Sequence, residues 1–521
     1  MSALKLKSPA CFNQKNGNCP GKATKIAVDR LRGGVSQGGM TSPEDMCAPE
    51  DYAAVLAGYK ALVAELQVQN AALVARVAEL ERRLGLNSAN SGKPPSSDGL
   101  KKPPRTRSLR GRSKNKSGGQ TGHLGKSLCQ VPAPDLTIDH FPTTCATCEQ
   151  TLNPADGFDY IARQVFDLPA PAPLVVTEHR AHRCRCTACG TTTRAAFPEA
   201  VSAPVQYGAR IAAFVVYLLN YQFVPEDRLA TLMADLFAVS LSRATIAQMS
   251  ARAAERLRGL ADRVRDLVVS APVKHLDETG FRIGGRTKWL HIAATAWLTF
   301  YRVSPKRGSL LAGVSGIVVH DHWKPYYTMP GVVHALCNAH HLRELQALVE
   351  IEREEWARRM QVLLRRACHL AHLAHDREEA LDPRFIDLIS RCYDARIAEG
   401  IALHEAQPPL AIKRNGDGTL NRGRPPRRVG HNLLLRLSSR KEDVLRFLTN
   451  PDVPFTNNQA ERDGRMMKLR QKISGGFRSD DGAADFAVIR TMIGTAKKQG
   501  WTIIHSLMQD PQTLIAAISA A

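Results

Sequence analysis

The stretch from Lys93 to Lys126 constrains this chain most, because it cannot fold by itself. It holds ten Lys or Arg against a single acid, Asp98, and is broken by Pro94, Pro95, Pro103, Pro104 and the Gly118-Gly119 pair. So little apolar surface cannot offset the entropy of ordering the backbone. The 521 residues are therefore expected to fold as separate parts joined by a basic arm, which suits a solvated linker and equally a strand lying along DNA phosphates. The whole chain carries the same bias, with 71 Lys plus Arg against 49 Asp plus Glu, a net charge of +22. Neutralised phosphates release condensed counterions, so a nucleic acid is the expected partner. The longest apolar run, Ile211 to Leu219, is too short to cross a bilayer. No secretory signal layout precedes the first patterned segment, so the twelve cysteines are read in a reducing compartment, where metal binding outranks disulfides.

Residues 1–50 lack any apolar period and are expected to be disordered, with Met46 a candidate start that would leave Cys11 and Cys19 without meaning. Over 51–86 a heptad places Leu56, Val63, Asn70, Val77 and Leu84 at a, and Tyr59, Leu66, Leu73 and Leu80 at d. This is a coiled-coil seam, and the polar Asn70 at an a position favours a parallel pair in one register. A homodimer or higher assembly is expected, although the helix could instead pack on the chain's own elements.

Beyond the arm (87–130), residues 131–200 carry Cys145-x-x-Cys148 and Cys186-x-x-Cys189, with Cys184 nearby and a strand-like run from Tyr160 to Phe166. Four thiolates in two tight pairs suit one tetrahedral structural Zn2+ in a small ribbon, on Cys145, Cys148, Cys186 and Cys189; buried thiols without metal are the alternative. Residues 201–268 read as helices, in which Arg228–Phe237 followed by Ser242–Met249 has the spacing of a helix-turn-helix and equally of ordinary helix packing.

From Val273 the pattern changes to strands: Val273 to Leu276, Thr287 to Ala296 and Trp297 to Val303 as a meander, with Gly284-Gly285 as a turn. A fourth run, Gly316 to Val319, and a fifth, Val332 to Leu336, lead into a helix near Asn338. This layout is α/β. Asp277 and Asp321 stand where the first and fourth runs end, and Glu461 stands at the start of a later helix. Such a trio suits two divalent ions, Mg2+ or Mn2+, that stabilise the attacking and leaving oxygens of an in-line phosphoryl displacement. Each acid alone also reads as structural, the two Asp as strand-end carboxylates and Glu461 as the capping-box partner of Asn458.

Taken in order, several pieces resemble the insertion sequence 66 transposases of bacteria, a branch of the Asp-Asp-Glu enzymes. They are Leu86-Asn87-Ser88-Ala89-Asn90-Ser91-Gly92-Lys93-Pro94-Pro95-Ser96-Ser97-Asp98, Gly118-Gly119-Gln120-Thr121-Gly122-His123, the two Cys pairs, His275-Leu276-Asp277-Glu278-Thr279, Asp321 with Tyr326, Cys337-x-x-His340, and Asn457-Asn458-x-x-Glu461-Arg462. The resemblance runs from about residue 55 to the C-terminus, and the ordered combination is far more specific than any one piece.

The resemblance implies a multidomain α/β protein: N-terminal coiled coil, zinc-binding ribbon, helical domain, and a ribonuclease-H-like catalytic core (269–349 and 451–521) interrupted by a helical insertion (350–450). It implies a DNA transposase, cytoplasmic in a bacterium and nucleoid-associated when bound, that cleaves element ends and joins their 3'-hydroxyls to target DNA, with small accessory proteins of the same element as candidate partners. Asp277, Asp321 and Glu461 are then catalytic metal ligands. Asp277 is preferred to Glu278, which strand alternation turns to the other face. Arg422, Arg424, Arg427 and Arg428 in the loop Lys413–Arg428, and Arg462, Arg465, Lys468 and Lys472 along the helix of Glu461, are expected to contact DNA. Cys337 and His340 are two ligands where a structural zinc needs four, so they are read as packing and substrate support, with the role of His341 open. Competing readings are a DNA-binding regulator or inactive derivative, and a nuclease that cuts without joining.

Overall fold

The computed structural model describes residues 49–91, 129–167, 174–410 and 426–518. The expected disorder up to residue 48, most of the basic arm, and Arg422 and Arg424 lie outside them. Two compact units divide after Arg83. The first is represented by helix α1 (Pro49–Gly85). Its seam residues Leu56, Tyr59, Val63, Leu66, Leu73, Val77 and Leu80 are all exposed. Near its C-terminal end Glu79 pairs with Arg82 and Arg83 one turn on.

Leu84–Ala521 forms the second unit. Just after α1, Asn90 is buried and donates to Gly85 O (3.0 Å) and Glu350 Oε2 (2.8 Å). The Cys-rich segment is almost wholly exposed. Strands β1 (Arg183–Arg185) and β2 (Thr192–Arg194) form a hairpin, while the run expected as a strand at Tyr160 to Phe166 is not one. Its apolar side chains have no partner layer: Tyr160, Ile161 and Val165 all face solvent.

Helices α2 (Ala209–Asn220), α3 (Glu226–Phe237) and α4 (Arg243–Ser270) follow. Ala238 in the left-handed conformation ends α3, and the Ser242 hydroxyl accepts from Thr245 N–H to start α4. Val215, Leu229, Met233, Val239, Leu241 and Ile246 make a small core among them. The helix-turn-helix spacing is thus present, but α4 runs on for 28 residues. Its later residues Ala254, Leu257, Leu260, Val264 and Val268 pack into the core beneath the sheet.

The sheet has strands β3 (Val273–Ile283), β4 (Arg286–Ala294), β5 (Thr299–Ser304), β6 (Gly316–His320) and β7 (Val332–Leu336). Their order is β5-β4-β3-β6-β7. The first three form an antiparallel meander, and β6 and β7 run parallel to β3. Gly284 and Gly285 both have positive φ and make the expected β3–β4 turn.

Beside β6 and the edge strand β7, α5 (Asn338–Ala347) and a π turn (Leu348–Glu352) lead into the insertion, which builds its own core from α6 (Glu355–His375), α7 (Pro383–Glu405), α8 (Val429–Ser439) and α9 (Lys441–Thr449). Its helix α7 is started by Asp382, whose side chain accepts from Arg384 N–H, and by Pro383 in the first turn. Trp356, Met360, Leu364, Tyr393, Leu434 and Leu437 join Val319, Ala335 and Leu336 of the sheet. The chain then returns as α10 (Asn458–Ser474) and α11 (Asp480–Lys498), with short α12 (Ile503–Met508) and α13 (Pro511–Ala517) at the end.

Side chains alternate across the sheet as pleating requires. Phe281, Ile283, Leu290 and Ile292 meet Ala460 and Met467 of α10; Leu276 and Ala293 meet α4 and α11.

Candidate active site

Asp277 does not end its strand, as the sequence suggested, but lies within the 11 residues of β3. What ends there is the parallel pairing, whose last register is His275 with Val319. Asp277 and Asp321 each stand two residues beyond that pair, Asp277 within β3 and Asp321 just past the end of β6. The Asp277 carboxylate accepts Glu278 N–H (2.9 Å), and Asp321 accepts Trp323 N–H (2.9 Å) as its chain turns away.

Glu461 reaches this edge because Asn457 fastens the start of α10 to the sheet. Asn457 is buried; its Nδ2 donates to Leu276 O (2.7 Å), its Oδ1 meets His275 Nδ1 (2.8 Å), and its backbone N–H donates to Cys337 Sγ (3.1 Å). Since Asn457 Oδ1 is an acceptor, His275 carries its proton on Nδ1. Close approach continues about two turns later at Gly464, where a Cβ would come within 3.2 Å of Ile292 Cδ1. The helix is capped at Asn457 without a side-chain capping bond, so the capping box between Asn458 and Glu461 does not form. Glu461 Oε1 is buried and has no hydrogen-bond partner. His340 Nδ1 lies 3.8 Å from it, and Arg343 Nη2 lies 3.7 Å from Oε2.

The electrostatics join the three acids. Asp277 has its proton affinity raised well above the ordinary carboxylate, first by burial and then by the charges of Glu278, Glu461 and Asp321. His340 is pushed down by burial and by Arg343, against the opposing pull of Glu461 and Asp321. The position is costly for negative charge without a cation, which fits a group of oxygen ligands for Mg2+ or Mn2+.

Several neighbours were not legible from spacing. Glu278, whose side chain is 1% exposed, receives Arg307 Nε (2.7 Å) and the Tyr326 hydroxyl. Arg307 in turn lies over Trp323 (4.2 Å to the ring centre) and Trp289 (5.1 Å). Glu278 therefore holds the wall beside the site rather than being an inert neighbour. Asn338 and His341 resolve the doubled-His motif: Asn338 Nδ2 donates to Val444 O (2.8 Å), its N–H to Phe455 O (3.1 Å), and its Oδ1 meets His341 Nδ1 (3.0 Å). Both are buried, and they tie α5 to the insertion.

Arg462, Arg465, Lys468 and Lys472 are exposed on α10, with Lys468 Nζ donating to Gly280 O (2.7 Å). Arg427 is exposed, and Arg428 donates to Pro408 O (2.8 Å). The two Cys pairs adopt the same turn. Cys145 N–H donates to Gln150 O and Glu149 N–H to Cys145 O; Cys186 N–H donates to Thr191 O and Gly190 N–H to Cys186 O. Glu149 and Gly190 share the positive φ this requires. Cys184 instead sits within β1, opposite Thr193. The two turns are not gathered: among the described residues, the only cluster of three or more metal-type ligands is Cys337, His340 and Glu461.

Comparison with known proteins finds that residues 204–485 match the sequence profile described as Transposase IS66 family, and residues 46–128 that of a family of unknown function, DUF6444. The chain is also similar to the uncharacterized protein y4jO of Sinorhizobium fredii (strain NBRC 101917 / NGR234), 40% identical over 75 residues, or 14% of this chain and 23% of that protein. That match spans less than a quarter of the relative's length.

Proposed function

Since the chain belongs to the IS66 family of transposases, we propose that it cleaves DNA at the ends of a mobile element and joins the freed 3'-hydroxyls to target DNA, with Asp277, Asp321 and Glu461 as the metal-holding carboxylates. The observation that carries this reading is the buried, unpartnered Glu461 Oε1, on a helix whose start is fastened to the strand bearing Asp277. A purely structural carboxylate would have found a donor. The mixed sheet, with a meander on one side of β3 and parallel strands on the other, supports a ribonuclease-H-like core.

Mg2+ or Mn2+ bound by these acids supplies Lewis-acid stabilisation of phosphoryl oxygens. The protein's part is positioning. Asn457 sets the height of Glu461 over β3, the Asp321 turn fixes its carboxylate, and the cationic row Arg462, Arg465, Lys468 and Lys472 offers phosphate contacts along the exposed side of α10. Arg422, Arg424, Arg427 and Arg428 are proposed to add contacts from the insertion. The exposed seam of α1, with Asn70 at its centre, is proposed to pair with a second copy. Cys145, Cys148, Cys186 and Cys189 are proposed to share one Zn2+, whose binding draws the two preformed turns together.

The test is a set of single alanine variants at Asp277, Asp321 and Glu461, assayed for nicking and strand transfer on element-end DNA. Each is expected to lower cleavage by about a hundredfold or more while DNA binding persists on the many Lys and Arg contacts. Near-normal cleavage by Glu461→Ala with Mg2+ would remove Glu461 from the set. Cleavage without transfer of pre-cut ends would reassign the chain as a nuclease.

A further inference from the structure

Sequence spacing offers only two ligands at Cys337-x-x-His340, too few to close a metal site. The fold supplies a third from a distant part of the chain. Glu461 arrives on α10 so that one donor atom each from Cys337, His340 and Glu461 lies within 4.8 Å of the others. We propose that these three residues form a mixed sulfur, nitrogen and oxygen site for a borderline transition-metal ion of the Zn2+ or Co2+ class, distinct in preference from the all-carboxylate Mg2+ site with which it shares Glu461.

Three observations carry the assignment. His340 Nδ1 and Glu461 Oε1 are both buried without hydrogen-bond partners, and they face each other at 3.8 Å. That separation is too long for a hydrogen bond. It is a few tenths of an ångström wider than the edge of about 3.4 Å between two ligands of a tetrahedral zinc, so a small side-chain adjustment closes it. The Cys337 sulfur is already oriented, since it stands at the head of α5 and accepts Asn457 N–H at 3.1 Å. That backbone donor favours the thiolate, but burial and the Glu461 charge outweigh it and push the thiol up, so it is the bound cation that makes the thiolate coordination requires. The donor set then decides the ion: sulfur and imidazole suit Zn2+ and Co2+ but are poor ligands for Mg2+.

Coordination displaces the thiol proton to solvent and leaves a fourth position for water or a phosphate oxygen. Arg343 opposes the cation from 3.7 Å on the far oxygen of Glu461; its side chain is 28% exposed, so it has room to turn outward. A cation held here engages Glu461 and withdraws it from Asp277 and Asp321. Zn2+ is therefore expected to compete with Mg2+-dependent cleavage rather than substitute for it.

The placement of Glu461 does not depend on the transposase reading, and the test needs no DNA. The full-length chain, stripped with chelator, is titrated with Co2+ in excess Mg2+, and thiolate-to-Co2+ charge-transfer absorption is recorded for wild type, Cys337→Ala and His340→Ala. The Cys-rich segment contributes equally to all three and cancels in the differences. Wild type is expected to bind one more Co2+ than Cys337→Ala with a matching loss of absorption, and His340→Ala to weaken that ion at least tenfold. Superimposable titrations of wild type and both variants would overturn the proposal. Circular dichroism reports folding; if Cys337→Ala does not fold, His340→Ala and Glu461→Gln decide by the same criterion. Loss of cleavage in the alanine series with no Co2+ difference would sink this site alone. A Co2+ difference with intact cleavage in Glu461→Ala would sink only the catalytic assignment.

Discussion

Asn457→Ala removes two side-chain bonds that fasten the start of α10 to β3, and the structure sets how much this costs. Leu276 O and His275 Nδ1, at 2.7 and 2.8 Å from the amide, are left in a site where Asn457 is 2% exposed. Water has little access to replace either bond. An orphaned buried group costs about 1–3 kcal/mol, so the pair predicts a loss of about 2–5 kcal/mol. Asn457→Asp is the sharper probe. It keeps the shape but turns an oxygen toward the Leu276 carbonyl and buries a charge, so it is expected to be no more stable than the alanine variant. Urea unfolding of the full chain measures the loss, and nicking of element-end DNA measures its consequence at Glu461, where a displaced ligand is expected to lower the rate by about a hundredfold. If Asn457→Ala costs under about 0.5 kcal/mol, as an ordinary surface substitution does, the clamp is not what seats the helix. Wild-type behaviour of Asn457→Asp would show that the amide faces the other way.

The remaining expectations concern acid and zinc. Burial pushes His275 from its ordinary 6.5 to about 4 and His320 to about 3, so the fold holds neutral rings that the unfolded chain protonates more readily. Their stabilisation is complete above about pH 6.5 and is lost as pH falls toward 4. His275 alone is expected to lose about 3 kcal/mol over that window, and thermal unfolding that is flat from pH 7 to 5 would contradict this. Metal analysis of purified protein should find zinc that Cys145→Ser or Cys189→Ser releases and Cys184→Ser retains; a zinc-free, fully folded full-length chain would end the ribbon assignment.

The parts of the fold that were legible were those fixed by local chemistry. The Gly284-Gly285 turn and the apolar runs located all five strands of the sheet, because backbone freedom and alternation are written within a few residues. The extent of β3 was missed because Glu278, Thr279 and Gly280 interrupt the apolar pattern while the strand continues. They are tolerated there because β4 pairs with them, and because Arg307 and Tyr326 satisfy Glu278. Long-range packing was hidden for a related reason. Helix α4 reads as the second member of a helix pair, yet half of it buries against α11, a partner that no local signal announces.

The site shows the same division most clearly. Its three proposed carboxylates are picked out in the sequence only in combination, through the order of motifs, since each alone is indistinguishable from a strand-end or capping acid. The proposed site rests on a contact between Asn457 and His275, 182 residues apart in sequence. That contact also explains why the motif around Glu461 begins four residues earlier than chemistry at Glu461 would demand. One Asn seats the helix on Leu276 O, and one helical turn later the acid reaches the edge where the pairing of β3 with β6 has just stopped. The buried thiol of Cys337 is the other half of this joint, receiving the Asn457 N–H and so coupling the end of β7 to the start of α10. A change at Cys337 therefore acts on Glu461 by two routes, as a lost ligand and as a loosened joint, and only the Co2+ comparison with His340→Ala, which leaves the joint intact, separates them.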